Sequence, residues 1–204
     1  MPHPNRVSPT GDFIATPARG LVMGNRGVLH DAAGVIGPAR WRHKNWVCCS
    51  LSFRGRHREI LQPRRWTELF FLDECVALAA GHRPCAECRH AAYQAYVTAW
   101  TTHFGRRPAA AEMDKALHAA RAMPGARQLR THQADAATLP AGAMIAVGGV
   151  AHLVAGAQIQ PFSSFGYGPP VDIPKGIVTV LTPAPNMAVL AAGYRPILHP
   201  TARF

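Results

Sequence analysis

The tightest constraint on this chain is the stretch LAAGHRPCAECRH at residues 78–90. A leucine–alanine run ends at Gly81, the residue type that closes a helix in the left-handed conformation. Arg83-Pro84 then prevents the helix from continuing, and Cys85 and Cys88 come next, spaced as Cys-x-x-Cys. Two thiolates at that spacing converge on one tetrahedral ion, typically Zn²⁺. They also open the next helix, whose N-terminus favours a thiolate. Six of the first seven positions recur as LAAGYRP at 190–196, without cysteines. The shared part reads as a helix stop, and the chemistry belongs to the cysteines beyond Pro84.

The other cysteines are Cys48, Cys49 and Cys75. Five in all, an odd number, argues against a disulfide framework and for thiols or metal. No apolar run approaches the roughly 20 residues that span a bilayer, and MPHPNRVSPTGDF has no secretory pattern. A cytoplasmic location and no membrane partner are the expectations.

Periodicity predicts an α+β fold: a small zinc-stabilised N-terminal module with helices, then a mainly β C-terminal part. Residues 1–18, rich in Pro, Ser and Thr, read as an extended lead-in. The zinc module covers 19–125. In it, Gly24-Asn25 is expected to turn between two short strands, and 46–54 to form a strand. That strand places Val47, Cys49, Leu51 and Phe53 on one face and Trp46, Cys48, Ser50 and Ser52 on the other. Thr67 is expected to cap a helix running to Gly81, with further helices after the cysteines and over 109–123. Residues 126–138 mark a soft boundary. Over 139–204, short β-type runs separated by Gly-Gly and Ala-Gly predict a β-meander with a short final helix.

Net charge is the strongest global signal, with 22 Lys and Arg against 11 Asp and Glu. Eight of those cations fall within 40–65: Arg40, Arg42, Lys44, Arg54, Arg56, Arg58, Arg64 and Arg65, with Glu59 the one acid. Trp41, Trp46 and Trp66 interleave with them. Guanidinium and aromatic surfaces in alternation suit a nucleic acid, DNA more than RNA. Arg54, Arg56 and Arg58 would form a ladder of phosphate-binding forks if the strand continued. A solvated basic face over a Trp-containing core is the plainer alternative.

A zinc site needs two ligands beyond Cys85 and Cys88. For the third, Cys49 is favoured over Cys48, because it shares a predicted inward face with Val47, Leu51 and Phe53. A buried, inert thiol is the competing reading. For the fourth, His57 is favoured over His82 or His90. Cys75 sits mid-helix among Leu72, Val76 and Leu78 and reads as core.

The run ELFFLDECVALAAGHRPCAECR, residues 68–89, resembles the second half of the Ada-type metal-binding module of alkylation-repair proteins. That family carries a phenylalanine-led segment, a short helix ending in Ala-Gly, then aromatic-Arg-Pro-Cys-x-x-Cys-Arg. The resemblance implies a structural zinc site with Cys85 and Cys88 as two of four ligands. The family's first half, a Cys-x-x-x-Cys ahead of the helix, has no counterpart here. In that family one zinc thiolate accepts a methyl group from a DNA phosphotriester; Cys48 or Cys49 as a zinc-activated nucleophile is a further alternative, although no residue here aligns with the family's acceptor.

A second pattern also fits. His57-Arg58-Glu59 with Pro84-Cys85-Ala86-Glu87-Cys88 matches H-x-E…P-C-x-x-C of zinc deaminases. It would supply three ligands and an activated water, with Glu59 as proton shuttle. Pro63 opposes the helix that such a site opens at the histidine. A metal-stabilised protein-interaction module is the third class. Residues 139–204 hold no phosphate-binding loop and no dinucleotide fingerprint.

Overall fold

The computed structural model describes residues 1–55, 59–125 and 127–204. The architecture is α+β, with two sheets and four helices among the described residues.

The first sheet contains β1 (Arg6–Val7), β2 (Phe13–Ile14), β3 (Val22–Asn25), β4 (Val47–Ser50), β5 (Leu69–Phe71) and β6 (Arg83–Pro84), in the order β2-β1-β5-β3-β4-β6. Gly24 and Asn25 lie inside β3 rather than in a turn. A Cβ on Gly24 would stand 2.4 Å from the Val47 carbonyl oxygen, so this glycine permits a close strand approach. Leu69-Phe70-Phe71 forms a strand where a helix was expected. Leu69 and Phe71 are fully buried between β1 and β3. A run of three apolar residues is too short to reveal its period.

Thr67 consequently caps nothing; its hydroxyl accepts a 2.8 Å bond from the Leu29 amide. The helix α1 (Glu74–Ala79) starts later, with Asp73 Oδ1 accepting from the Val76 amide at 3.0 Å. The predicted strand over 46–54 stops at Ser50. Arg54 and Gly55 both take positive φ, 53° and 67°, and the chain turns there. The strand on which the forked ladder depends therefore ends before Arg54, and Arg56 and Arg58 lie outside the described residues.

Helix α2 (His90–Phe104) ends at Gly105 with φ 80°, and α3 (Ala110–Arg121) comes after it. The second sheet is the expected meander: β8 (Met144–Val147), β9 (Val150–Ala155) and β10 (Gln158–Ser163) are joined through Gly148-Gly149 and Gly156. It is extended by β7 (His132–Asp135), β11 (Gly166–Tyr167), β12 (Val171–Asp172) and β13 (Ile177–Val180). Helix α4 (Ala184–Ala191) closes the succession.

The repeated helix stop is a real structural device. After α1, the amides of Gly81 and His82 donate to Leu78 and Ala77 carbonyls; after α4, those of Gly193 and Tyr194 donate to Leu190 and Val189. Gly81 and Gly193 have φ of 89° and 99°. His82 and Tyr194 both turn inward, 0% and 3% exposed. One six-residue pattern thus builds one turn twice.

Both sheets share one core, and a second joins the helices to the second sheet. Leu69, Phe71 and Val76 pack with Met144, Leu153 and Leu181, while Leu78, Tyr96 and Met113 pack with Ile145, Val154 and Val189. Buried acids tie the halves further. Asp73 Oδ2 accepts from Tyr167 Oη at 2.9 Å and the His199 amide at 3.1 Å. Glu74 accepts from Tyr194 Oη at 2.7 Å and the Ile197 amide at 2.9 Å.

Candidate metal centre

Strand β6 pairs in parallel with β4, setting Val47 opposite Arg83 and Cys48 opposite Pro84. The ladder continues one step, because the Cys85 amide donates to the Cys48 carbonyl at 2.9 Å. This register delivers Cys85 to the side of Cys49. Within the next turn the Arg89 amide returns to the Cys85 carbonyl at 3.1 Å, bringing Cys88 back over the same point. The sulfurs of Cys49, Cys85 and Cys88 consequently lie within 4.8 Å of one another. A ZnS₄ tetrahedron with bonds of about 2.3 Å has edges of about 3.8 Å, so modest side-chain rotation seats an ion.

Backbone amides also point at this sulfur set. Cys85 Sγ accepts from the amides of Cys88 and Glu87, and Cys88 Sγ from that of Ser50. Ser50 Oγ donates to the Cys88 carbonyl at 3.1 Å, fastening the strand to the turn. The Cys85 thiol is drawn down to about 5, chiefly by the hydrogen bond from Cys49 and then by those amides. Cys49 is pushed up, first by the same bond and then by burial. Burial raises Cys88. Cys85 is thus the sulfur most readily ionised, and a divalent cation binding the set would displace the protons of its neighbours.

Cys49 joins the cluster, but its predicted face is inverted. Cys48, fully buried, points into the core beside Leu69 and Val76, on the same parity as the buried Trp46. Within the strand, Val47 is only half-buried and Cys49 is 7% exposed, so the Val47–Cys49 face is the outer one. Cys48 Sγ instead accepts from Arg89 Nη1 at 3.2 Å. Cys75 is core as expected, fully buried.

Of the histidines weighed, His57 lies outside the described residues. His90 is exposed, with Nδ1 bonded to the Ala86 carbonyl at 3.0 Å. His82 is buried between Phe71 and Trp46, with ring centroids 4.6 and 5.7 Å away. Glu59 is exposed in a turn and accepts from Gln62 Nε2.

The basic segment splits by environment. Arg42, Lys44, Arg54, Arg64 and Arg65 are exposed, whereas Arg40 is half-buried against the Phe13 ring at 4.6 Å. Trp41 packs tilted against Trp46, with ring centroids 5.4 Å apart, and the Trp46 indole Nε1 donates to the His43 carbonyl at 2.7 Å. Beneath them lies a feature that the sequence does not advertise. Arg26 and Arg121 are both fully buried, and neither forms an ion pair among the described residues. Arg121 donates to the carbonyls of Ala79 and Pro9 at 2.7 and 3.0 Å. Arg26 covers the Trp46 ring at 4.5 Å and donates to the Ala80 carbonyl at 3.1 Å. Burial first, then Arg121 and Arg40, lower the Arg26 pKa to about 9. The guanidinium remains charged at neutral pH, so the interior adds to the positive field of the 40–46 loop.

The chain matches no family model, no curated protein and no solved structure. The functional reading rests on the site's own chemistry. Three convergent thiols, brought together by β4 and the turn before α2, form a group that can bind a metal ion. No described helix is long and apolar enough to cross a membrane.

Proposed function

We propose that this is a zinc-stabilised nucleic-acid-binding protein, with DNA the favoured partner. Cys49, Cys85 and Cys88 hold the ion, and His57 is the fourth ligand in this reading. The observation that carries it is the convergence of the three sulfurs from a strand and a turn far apart in sequence. Thiolates select soft or borderline ions, and a set dominated by sulfur suits Zn²⁺ in a structural role. Such an ion knits β4 to the turn before α2, and the Ada-type likeness of residues 68–89 implies a structural zinc with Cys85 and Cys88 as two of its ligands. The free thiols go with a reducing, cytoplasmic setting.

Nucleic-acid contact is supported by the Arg42 and Lys44 side chains, exposed around half-buried Trp41 and underlain by charged Arg26 and Arg121. Cations would meet phosphates while Trp41 offers a stacking edge. The deaminase alternative gains no support from residues 59–62, which form a turn rather than a helix.

Two measurements test the reading. Protein purified without added metal should contain one zinc per chain, and cobalt substitution should give thiolate-to-metal charge-transfer absorption. Absence of both would overturn the metal assignment. Binding of single- and double-stranded oligonucleotides should weaken linearly in log K against log salt, by about 0.7 to 0.9 per phosphate contact. No binding at low salt would overturn the nucleic-acid assignment and leave an interaction module.

A further inference from the structure

The two copies of the helix stop place two arginines equivalently, and only one of them has a partner. Arg83, after the first copy, is 5% exposed and grips Asp114 of α3 through Nε at 2.7 Å and Nη2 at 2.9 Å. Arg195, after the second copy, is exposed and makes no side-chain hydrogen bond or ion pair among the described residues. It stands at the rim of a groove of about 570 Å³. That volume lies in the range of small-molecule sites, roughly 300 to 1,000 Å³.

The groove walls are apolar: Leu190 from α4, Pro196 and Leu198 beyond the stop, Ala141 from the turn before β8, and Phe204. Its floor is the Gly142 backbone, where φ is +90°. A Cβ at Gly142 would stand 3.2 Å from Leu190 and 3.4 Å from Pro196, so glycine allows these walls to meet. The wall around Leu198 is pinned on both sides, because the flanking amides of Ile197 and His199 donate to the buried carboxylates of Glu74 and Asp73. The cleft is therefore preformed rather than a gap between loose segments.

We infer that this groove binds an apolar monocarboxylic acid, whose carboxylate pairs with Arg195 as Asp114 pairs with Arg83 and whose hydrocarbon part lies along Leu190, Pro196 and Leu198. A lone guanidinium above apolar walls complements one negative charge on an apolar body, and it offers the planar fork that a carboxylate fits. This site is independent of the metal centre and of the nucleic-acid reading.

The probe is octanoate, titrated into the full-length protein and followed by ¹H–¹⁵N spectra. Saturable shifts should centre on the amides of Ala141, Gly142 and Ala191. Octan-1-ol, with the same tail and no charge, should bind about tenfold or more weakly, as should octanoate to Arg195→Gln. Because Arg195 is exposed and unpaired, that variant should melt with the wild type. Ala141→Phe, at an exposed rim position, should block the cleft. No saturable shift, equal octanoate affinity in Arg195→Gln, or equal affinity for octanol would each overturn the inference. So would concentration-dependent shifts of the same amides without octanoate, since a second copy would then fill the groove.

Discussion

Arg89 and Glu74 form a buried, two-pronged ion pair, with both N···O distances at 2.7 Å, directly behind the thiol cluster. The pair joins the first residue of α1 to the residue preceding α2, and Arg89 reaches on to Cys48 Sγ. Side chains on both partners are less than 5% exposed. Glu74→Gln would leave the guanidinium buried without its counter-charge, and it would weaken the acceptors for Tyr194 and Ile197. Loss of about 3 to 5 kcal/mol of stability is expected, read by urea denaturation. A loss below about 1 kcal/mol would show that the pair is solvated in solution.

The cysteine assignments separate cleanly by substitution. Cys49→Ala, Cys85→Ser and Cys88→Ser should each abolish stoichiometric metal and the cobalt-thiolate absorption. Cys48→Ala should keep both while costing about 1 kcal/mol for a vacated core site. Since Cys48 and Cys49 are adjacent, this contrast tests the strand face and not merely the segment. Metal loss in Cys48→Ala alone would place the ion on the opposite side of β4.

Much of this arrangement was legible in residue types. Gly81 and Gly105 end their helices because only a residue without Cβ enters the left-handed region cheaply. The meander could be read from Gly148-Gly149 and Gly156, and the pair Cys85 and Cys88 from its spacing. Other features depend on tertiary neighbours. Leu69-Phe70-Phe71 becomes a strand because β1 and β3 flank it, and no local periodicity in three residues states that. The faces of β4 were inverted since Leu51 and Phe53 lie past the strand's end at Ser50, where alternation no longer reports on it. Buried Arg26 and Arg121 look like any surface arginine in the sequence, because they donate to carbonyls at loop and helix ends rather than to acids, and Nε and Nη1 of Arg26 find no partner among the described residues.

His82 gives the fold a predictable acid sensitivity. Both ring nitrogens are buried without hydrogen-bond partners among the described residues. Burial first, then Arg26, holds its pKa well below the usual value. In the unfolded chain the ring titrates near pH 6.5, so there the unfolded state takes a proton that the folded state refuses. Stability should be level above that pH and fall below it, by up to about 1.4 kcal/mol per pH unit from this residue. His82→Phe keeps the contacts with Phe71 and Trp46 and removes the proton. Its melting temperature should decline less than the wild type's between pH 7 and 5. A residual slope is expected from His43, His118 and His132, which burial also lowers. An unchanged slope in His82→Phe would mean that the ring is hydrated.

The basic surface makes the most discriminating test, because buried and exposed cations contribute to binding differently. Arg42 and Lys44 are exposed and positioned to displace counterions from phosphates. Arg42→Ala with Lys44→Ala should therefore weaken oligonucleotide binding and reduce the salt slope by about 1.4 to 1.8, two contacts' worth. Arg26 touches no solvent, so it can act only through its field. Arg26→Met removes that charge while keeping apolar cover over Trp46. It should be neutral to stabilising, because an unpaired buried charge leaves the core. Binding at low salt should weaken modestly with the slope unchanged, since no phosphate contact is lost. Isothermal titration across a salt series measures both quantities together. A lower slope in Arg26→Met would show that the loop opens on binding and brings Arg26 to the phosphate backbone, and an unchanged slope in the double variant would move the interface away from residues 40–46.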